Sequence, residues 1–288
     1  MLEPISHTIA TLIKPVVDAS NAVILPQQGD YEQNGLLYCG KCHTAKQIII
    51  PDGGREIKVM CLCECAAEEE QRKEREHKER MFAEKVERMR GIAFSERRMR
   101  FWTFENDDLA DKRTTSIARH YVDNFSEMRN RGKGLLLYGN VGTGKTYAAC
   151  EIANALLDKG IPCIVTNFAR ITNTLQGLHE GRQDYIDDFS KYSLLVIDDL
   201  GAERRSEYMQ EMVFNIIDSR YRAGLPMIIT TNLPISEIKT PPSDSYSRIY
   251  DRIIEACFPV EVSGRSRRRA KVRDEFDEIK SLLGLEGE

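Results

Sequence analysis

Gly139-Asn140-Val141-Gly142-Thr143-Gly144-Lys145-Thr146 fits the phosphate-loop pattern G-x-x-x-x-G-K-[ST] without a mismatch. Its flanks agree with that reading. Gly134-Leu135-Leu136-Leu137-Tyr138 ahead of it reads as a buried strand, and Tyr147 to Leu157 behind it reads as a helix with one small, apolar face. Glycines let the backbone bring its N–H groups close to phosphate oxygens. The helix N-terminus adds partial positive charge at the same point. Gly139, Asn140, Val141, Gly142, Thr143, Gly144, Lys145 and Thr146 are therefore the candidate nucleotide-binding residues. Lys145 is expected to reach the β/γ-phosphates and the Thr146 hydroxyl to ligate Mg2+. An ordinary Gly-rich turn is the competing reading, and the complete pattern in this context disfavours it.

Leu194-Leu195-Val196-Ile197-Asp198-Asp199-Leu200-Gly201 runs from four apolar residues into two carboxylates. It reads as a buried parallel strand ending at the ligand-bearing edge of a sheet. Asp198 is expected to hold Mg2+ through water, and Asp199 to polarise the attacking water. A strand-end turn is the plain alternative. A third strand, Pro226-Met227-Ile228-Ile229-Thr230-Thr231-Asn232, ends in an amide. Asn232 either contacts the γ-phosphate or its water, or simply caps the turn at Leu233-Pro234. Three strands with polar tips describe one crevice, and the chemistry they suggest is hydrolysis of ATP.

This ordered set resembles the AAA+ ATPases, in the form of the DnaC and DnaI replicative-helicase loaders and the related IstB transposition ATPases. The resemblance covers roughly residues 101 to 273, from Phe101-Trp102-Thr103-Phe104-Glu105-Asn106 onward. It implies an α/β fold with a doubly wound parallel sheet. Asp199 stands where many AAA+ proteins have Glu, which predicts modest turnover. Ser247-Arg248-Ile249-Tyr250-Asp251-Arg252 resembles the loaders' arginine-finger helix, and Gly264-Arg265-Ser266-Arg267-Arg268 their sensor-2 segment. Arg252 is the preferred finger, acting on a neighbouring subunit's ATP, with Arg248 as runner-up; pairing of both with surface acids such as Asp251 or Glu255 is the plainer reading. Arg268 matches the sensor position, and Arg267 is adjacent enough to compete for it.

Five of the eight cysteines lie between residues 39 and 65. Cys39 and Cys42 form a C-x-x-C knuckle, and Cys61, Cys63 and Cys65 offer a second pair without choosing it. Gln47-Ile48-Ile49-Ile50 and Glu56-Ile57-Lys58-Val59-Met60 read as strands joined at Asp52-Gly53-Gly54. The expectation is a zinc-ribbon-like module holding one Zn2+, with His43 a bystander. A redox C-x-x-C lacks its usual context. Cys150, Cys163 and Cys257 sit in apolar surroundings and read as core.

The 288 residues carry a formal net charge of −4, too small to identify a partner. Arg265, Arg267, Arg268, Arg269, Lys271 and Arg273 form a local basic run without an acid. No apolar run of about 18 residues exists, so no membrane span is expected. No signal peptide is read, and a cytoplasmic location follows. The expected organisation is a zinc-binding, helicase-interacting module over 1–65, a charged helical linker over 66–100, the AAA+ domain over 101–275 and an acidic tail over 276–288. Within the linker, Glu68 with Arg72 and Glu69 with Lys73 sit at i, i+4 spacing, and Gly91 is expected to end the run. Ile5, Ile9, Leu12, Ile13 and Val16 suggest a short amphipathic helix.

By resemblance, the function is that of a helicase loader of phage or prophage type. Its partners are a DnaB-type replicative helicase, single-stranded DNA and further copies of itself, and its cofactors are ATP, Mg2+ and Zn2+. Asn167-Phe168-Ala169-Arg170 and Arg204-Arg205-Ser206 are candidate DNA contacts. The alternatives are an IstB-like transposition ATPase and an adaptor that binds ATP as a switch without hydrolysing it.

Overall fold

A computed structural model describes residues 26–52, 55–108, 111–201, 207–241, 244–264, 266–267, 276, 279–280 and 282–283. The amphipathic segment over Ile5 to Val16, the Gly53-Gly54 turn, Arg204-Arg205-Ser206, Arg268 and most of the basic run lie outside the described residues. The chain divides into two compact units, Met1–Phe82 and Ala83–Glu288.

In the first unit, β1 (Tyr31–Gln33) pairs antiparallel with β2 (Leu36–Tyr38), and β3 (Gln47–Asp52) with β4 (Arg55–Met60). The second pair is the hairpin expected from the two strand patterns. Few side chains are buried among the described residues of this unit; Cys39, Lys46, Val59 and Cys63 are among them. The Lys46 ammonium is paired with Asp30 at 2.5 Å, which satisfies an otherwise costly buried charge.

Helix α1 (Glu64–Ala93) runs through Gly91 instead of ending there. A glycine inside a helix costs only about 1 kcal/mol, and burial beyond it decides the matter: Ala93, Phe94 and Met99 belong to the core of the second unit. The exposed stretch carries the ion pairs Lys73–Glu69 and Lys78–Glu74, while Arg72 turns to Glu69 and Glu76. Such exposed pairs add little to stability, because solvent and salt screen them. The linker stretch is therefore solvated over its first part only.

The second unit continues through a 3-10 turn (Arg97–Phe101), α2 (Lys112–Asp123), α3 (Phe125–Asn130), β5 (Gly134–Tyr138), α4 (Lys145–Asp158), β6 (Cys163–Asn167), α5 (Phe168–Gly177), α6 (Arg182–Asp187), β7 (Leu194–Leu200), α7 (Glu207–Arg222), β8 (Met227–Thr231), α8 (Ile235–Lys239), α9 (Asp244–Ala256) and β9 (Cys257–Glu261). The five long-range strands form one parallel sheet in the order β6-β7-β8-β5-β9. Successive side chains on a strand face opposite sides. Leu135, Leu137, Leu194 and Val196 accordingly enter one core with α4, and Leu136, Leu195 and Ile197 enter a second core with α5 and α7. Burial on both faces is why these strands read as unbroken apolar runs.

Helix α9 ends at Ala256, and Cys257 opens β9 without an intervening loop. That strand lies at the sheet edge, where Pro259 costs no interior ladder bond. Cys150, Cys163 and Cys257 are all buried.

Arg220 is the largest fully buried side chain among the described residues. Its guanidinium donates to the carbonyls of Phe189, Tyr192, Ser193 and Pro226 at 2.8–3.2 Å. Burial pulls its pKa down to about 10. These carbonyls precede β7 and β8, so one side chain secures the entry to both strands. Arg220→Met should strand them, and chemical denaturation should show a loss on the order of 3–5 kcal/mol. Arg220→Lys should recover only part of it, because an ammonium cannot reproduce the fork; full recovery would count against the bidentate geometry as the cause.

Candidate nucleotide and metal sites

The phosphate loop joins β5 to α4 as expected. Gly144, just before α4, adopts φ +107°, a left-handed conformation that suits glycine. A Cβ on Gly139 would fall 2.3 Å from the Val262 carbonyl oxygen, so the first glycine is required by close approach of β9's exit. Lys145 is buried, and its Nζ donates to the Gly139 and Asn140 carbonyls at 2.9 and 2.7 Å. The Thr143 hydroxyl donates to the Asn140 carbonyl at 3.0 Å. Val141 is exposed at the loop tip.

The sheet order places β7 and β5 on either side of β8, so the three polar strand tips converge. Thr146 Oγ1 donates to Asp198 Oδ1 at 2.8 Å, joining the loop to the first carboxylate. Thr230 Oγ1 donates to the same oxygen at 2.6 Å. Asp199 has φ +56° and an exposed side chain, and Asn232 Nδ2 donates to its Oδ1 at 3.4 Å. Lys145, Thr146, Asp198, Asp199 and Asn232 are thus gathered at one edge. Thr230 was missed because its neighbours made it look like one more apolar-strand residue.

Arg252 is held within its own chain. It is paired with Asp218 on α7 and lies over the rings of Phe214 at 4.7 Å and Tyr221 at 5.8 Å. Its partner is 34 residues away, not the Asp251 or Glu255 beside it. Arg248, one turn earlier, is exposed.

Arg267 lies on the phosphate loop. Its N–H donates to the Gly142 carbonyl at 2.9 Å, and a Cβ on Gly144 would meet its guanidinium at 3.1 Å. Asp107 and Asp108 pair with it at 2.9 and 3.0 Å. Nearly two turns into α4, Glu151 is buried and pushed up to about 8, chiefly by burial and then by the Asp107 charge, with Arg267 and Arg119 opposing. Trp102 stacks on Tyr147 at 5.5 Å. The Asn154 amide donates to the Met99 and Trp102 carbonyls at 3.0 Å, fastening the segment before the core onto α4.

In the first unit the sulfurs of Cys39, Cys42, Cys63 and Cys65 all lie within 4.8 Å of one another. Cys61, an open candidate on sequence, is outside this group; its thiol donates to the Ala45 carbonyl. The reason is position: Cys61 directly follows β4, while Cys63 and Cys65 turn into α1. Separations of 3.7 Å for Cys39–Cys65 and 3.5 Å for Cys63–Cys65 approach the about 3.8 Å edge of a tetrahedron with zinc–sulfur bonds of about 2.3 Å. The Thr44 hydroxyl lowers Cys42 to about 5, while the sulfurs of Cys42 and Cys63 push Cys65 up to about 12. Four thiols so close cannot all ionise without a cation, and the set fits Zn2+. His43 is outside the cluster, its ring 5.8 Å from that of Tyr31.

Residues 60–275 match the profile of the IstB-like ATP binding proteins, well over half of the chain. The chain belongs to that family. This IstB-like chain is 26% identical over 182 residues to the replicative helicase loader DnaI of Bacillus subtilis, covering 58% of each. It is 29% identical over 127 residues to the replicative helicase loader DnaC of Escherichia coli K12, covering 43% of this chain and 51% of that protein. It therefore spans only about half the length of these curated relatives. A crystal structure of DnaI superposes with a TM-score of 0.52 at 25% identity, covering 62% of this chain and 99% of that one. The IstB-like chain thus has the AAA+ fold expected from its motifs. Among the described residues no helix is long and apolar enough to cross a membrane.

Proposed function

We propose that this protein is an ATP-dependent loader that delivers a DnaB-type replicative helicase onto single-stranded DNA when replication starts. The observation that carries this reading is the Thr146–Asp198 contact at the end of a complete phosphate loop, in a chain whose relatives are named replicative helicase loaders. Water attacks the γ-phosphorus of ATP, the bond to the bridging oxygen breaks, and ADP leaves. The loop amides and Lys145 bind and neutralise the phosphates, and Thr146 and Asp198 would hold Mg2+, which would neutralise charge developing on them. Asp199 accepts the proton of the attacking water, with Asn232 orienting it. Hydrolysis takes place between copies, with Arg252 acting in trans although it is paired with Asp218 in its own chain, and exposed Arg248 is the alternative. Arg268 contacts phosphate in its own chain, with Arg267 as the alternative.

In this reading residues 1–65 bind the helicase, 66–100 link, 101–275 form the motor and 276–288 are a tail. The protein works in the cytoplasm, where the replication fork lies. A loading assay tests the whole. The protein should co-purify with a hexameric helicase and, with ATP, stimulate unwinding of a primed, protein-coated single-stranded circle. Phosphate release should rise with protein concentration and with single-stranded DNA. Absence of helicase binding, with a transposase captured instead, would favour the IstB-like transposition role. Stimulated unwinding without phosphate release would favour the ATP-switched adaptor.

A further inference from the structure

The register of β7 against β8 is broken once. Ile197 faces Ile229 and Leu200 faces Thr231. Between these pairs β7 has two residues, Asp198 and Asp199, where β8 has one, Thr230. This is a β-bulge, a device that redirects side chains next to active sites. It falls on the two carboxylates assigned to metal binding and water activation.

Thr230 is fully buried, and its hydroxyl serves both residues of the bulge. The Asp199 N–H donates to Thr230 Oγ1 at 2.9 Å. A hydroxyl has one proton and two lone pairs. With one lone pair taken by the Asp199 amide, the proton goes to Asp198 Oδ1 at 2.6 Å. Thr146 gives its own proton to that oxygen, which leaves its lone pairs free for a metal. Asp199 at φ +56° is in a region that residues other than glycine rarely hold without support. On the following residue, Thr231 donates to the Leu200 carbonyl at 2.7 Å and so closes the bulge from its other end.

We infer that Thr230 is the positioning residue of the hydrolytic site: its single hydroxyl orients the Asp198 carboxylate and holds the Asp199 backbone in its left-handed turn. The role rests on the ATPase reading proposed above, but the contacts can be tested apart from turnover. Thr230 touches neither phosphate nor water in this assignment; it acts through both aspartates.

The first readout is hydrogen exchange in the wild-type protein. The Asp199 amide should be protected like its neighbours in β7, although its side chain is exposed. Exchange at the rate of an open loop would overturn the inference, whatever any variant does. The second readout compares Thr230→Val, which keeps the shape, with Thr230→Ser, which keeps the hydroxyl. In Thr230→Val the Asp199 amide should exchange faster. The gain in ATP affinity that Mg2+ confers, measured by calorimetry against ATP with chelator, should shrink about 10-fold or more. Turnover should fall about 10- to 100-fold. Affinity for metal-free ATP should stay unchanged, and Thr230→Ser should restore all three. Equal impairment of the serine and valine variants, or an unchanged Mg2+ effect in Thr230→Val, would refute the positioning role. A wild-type protein that releases no phosphate would instead remove the hydrolysis reading, leaving the exchange and Mg2+-binding results to judge Thr230.

Discussion

Lys145→Ala is expected to cut ATP affinity by on the order of a hundredfold or more, because each charge-assisted hydrogen bond to phosphate contributes about 1.5–3 kcal/mol. The side chain is buried, and its ammonium is held by two carbonyls of the loop it serves, Gly139 and Asn140. It is thus already stationed at the phosphate cradle. Alanine removes the cation and leaves both carbonyls facing the cradle, which repels phosphate. Calorimetric titration with ATP is the direct measurement, with metal content as a control, since the cysteine cluster lies in the other unit. ATP affinity within about threefold of the wild type would overturn the assignment of the loop.

Cys39→Ser or Cys42→Ser is expected to abolish retention of one zinc per chain and to unfold the module that surrounds it. Among its described residues the first unit buries few apolar side chains, so their packing contributes little. A structural zinc site typically contributes about 10–16 kcal/mol at neutral pH, more than such a core can replace. Cys63→Ser and Cys65→Ser should behave alike, whereas Cys61→Ser should keep the metal, since its thiol points to the Ala45 carbonyl. Elemental analysis of protein prepared without chelator decides this. Well under one equivalent of zinc in the wild type would sink the site, and loss of zinc in Cys61→Ser would sink the choice of ligands.

The phosphate loop, the Asp pair and the first cysteine knuckle were legible because each is contiguous. Their chemistry demands particular residues at fixed spacing, and the flanking apolar runs place them on strands and helices without reference to anything distant. The β3–β4 hairpin was legible for the same reason. The edge strand β9 was not, because five residues with a central proline carry no strand pattern of their own; pairing with β5 supplies it. Gly91 misled for the mirror reason, since local cost was outweighed by the burial of Ala93 and Phe94.

The sequence by itself determined that this chain builds a nucleotide site on a parallel sheet and carries a cysteine set able to hold a metal. Only the tertiary structure decided which sulfurs meet, that Arg252 is held by Asp218, and that Arg267 rests on the loop between Asp107 and Asp108. It alone set Thr230 opposite both aspartates. Each of these depends on partners tens of residues apart or on a one-residue shift of register. Periodicity and spacing report only a residue's near neighbours, whereas a hydrogen bond or ion pair is made by whatever the packed core brings within about 3 Å.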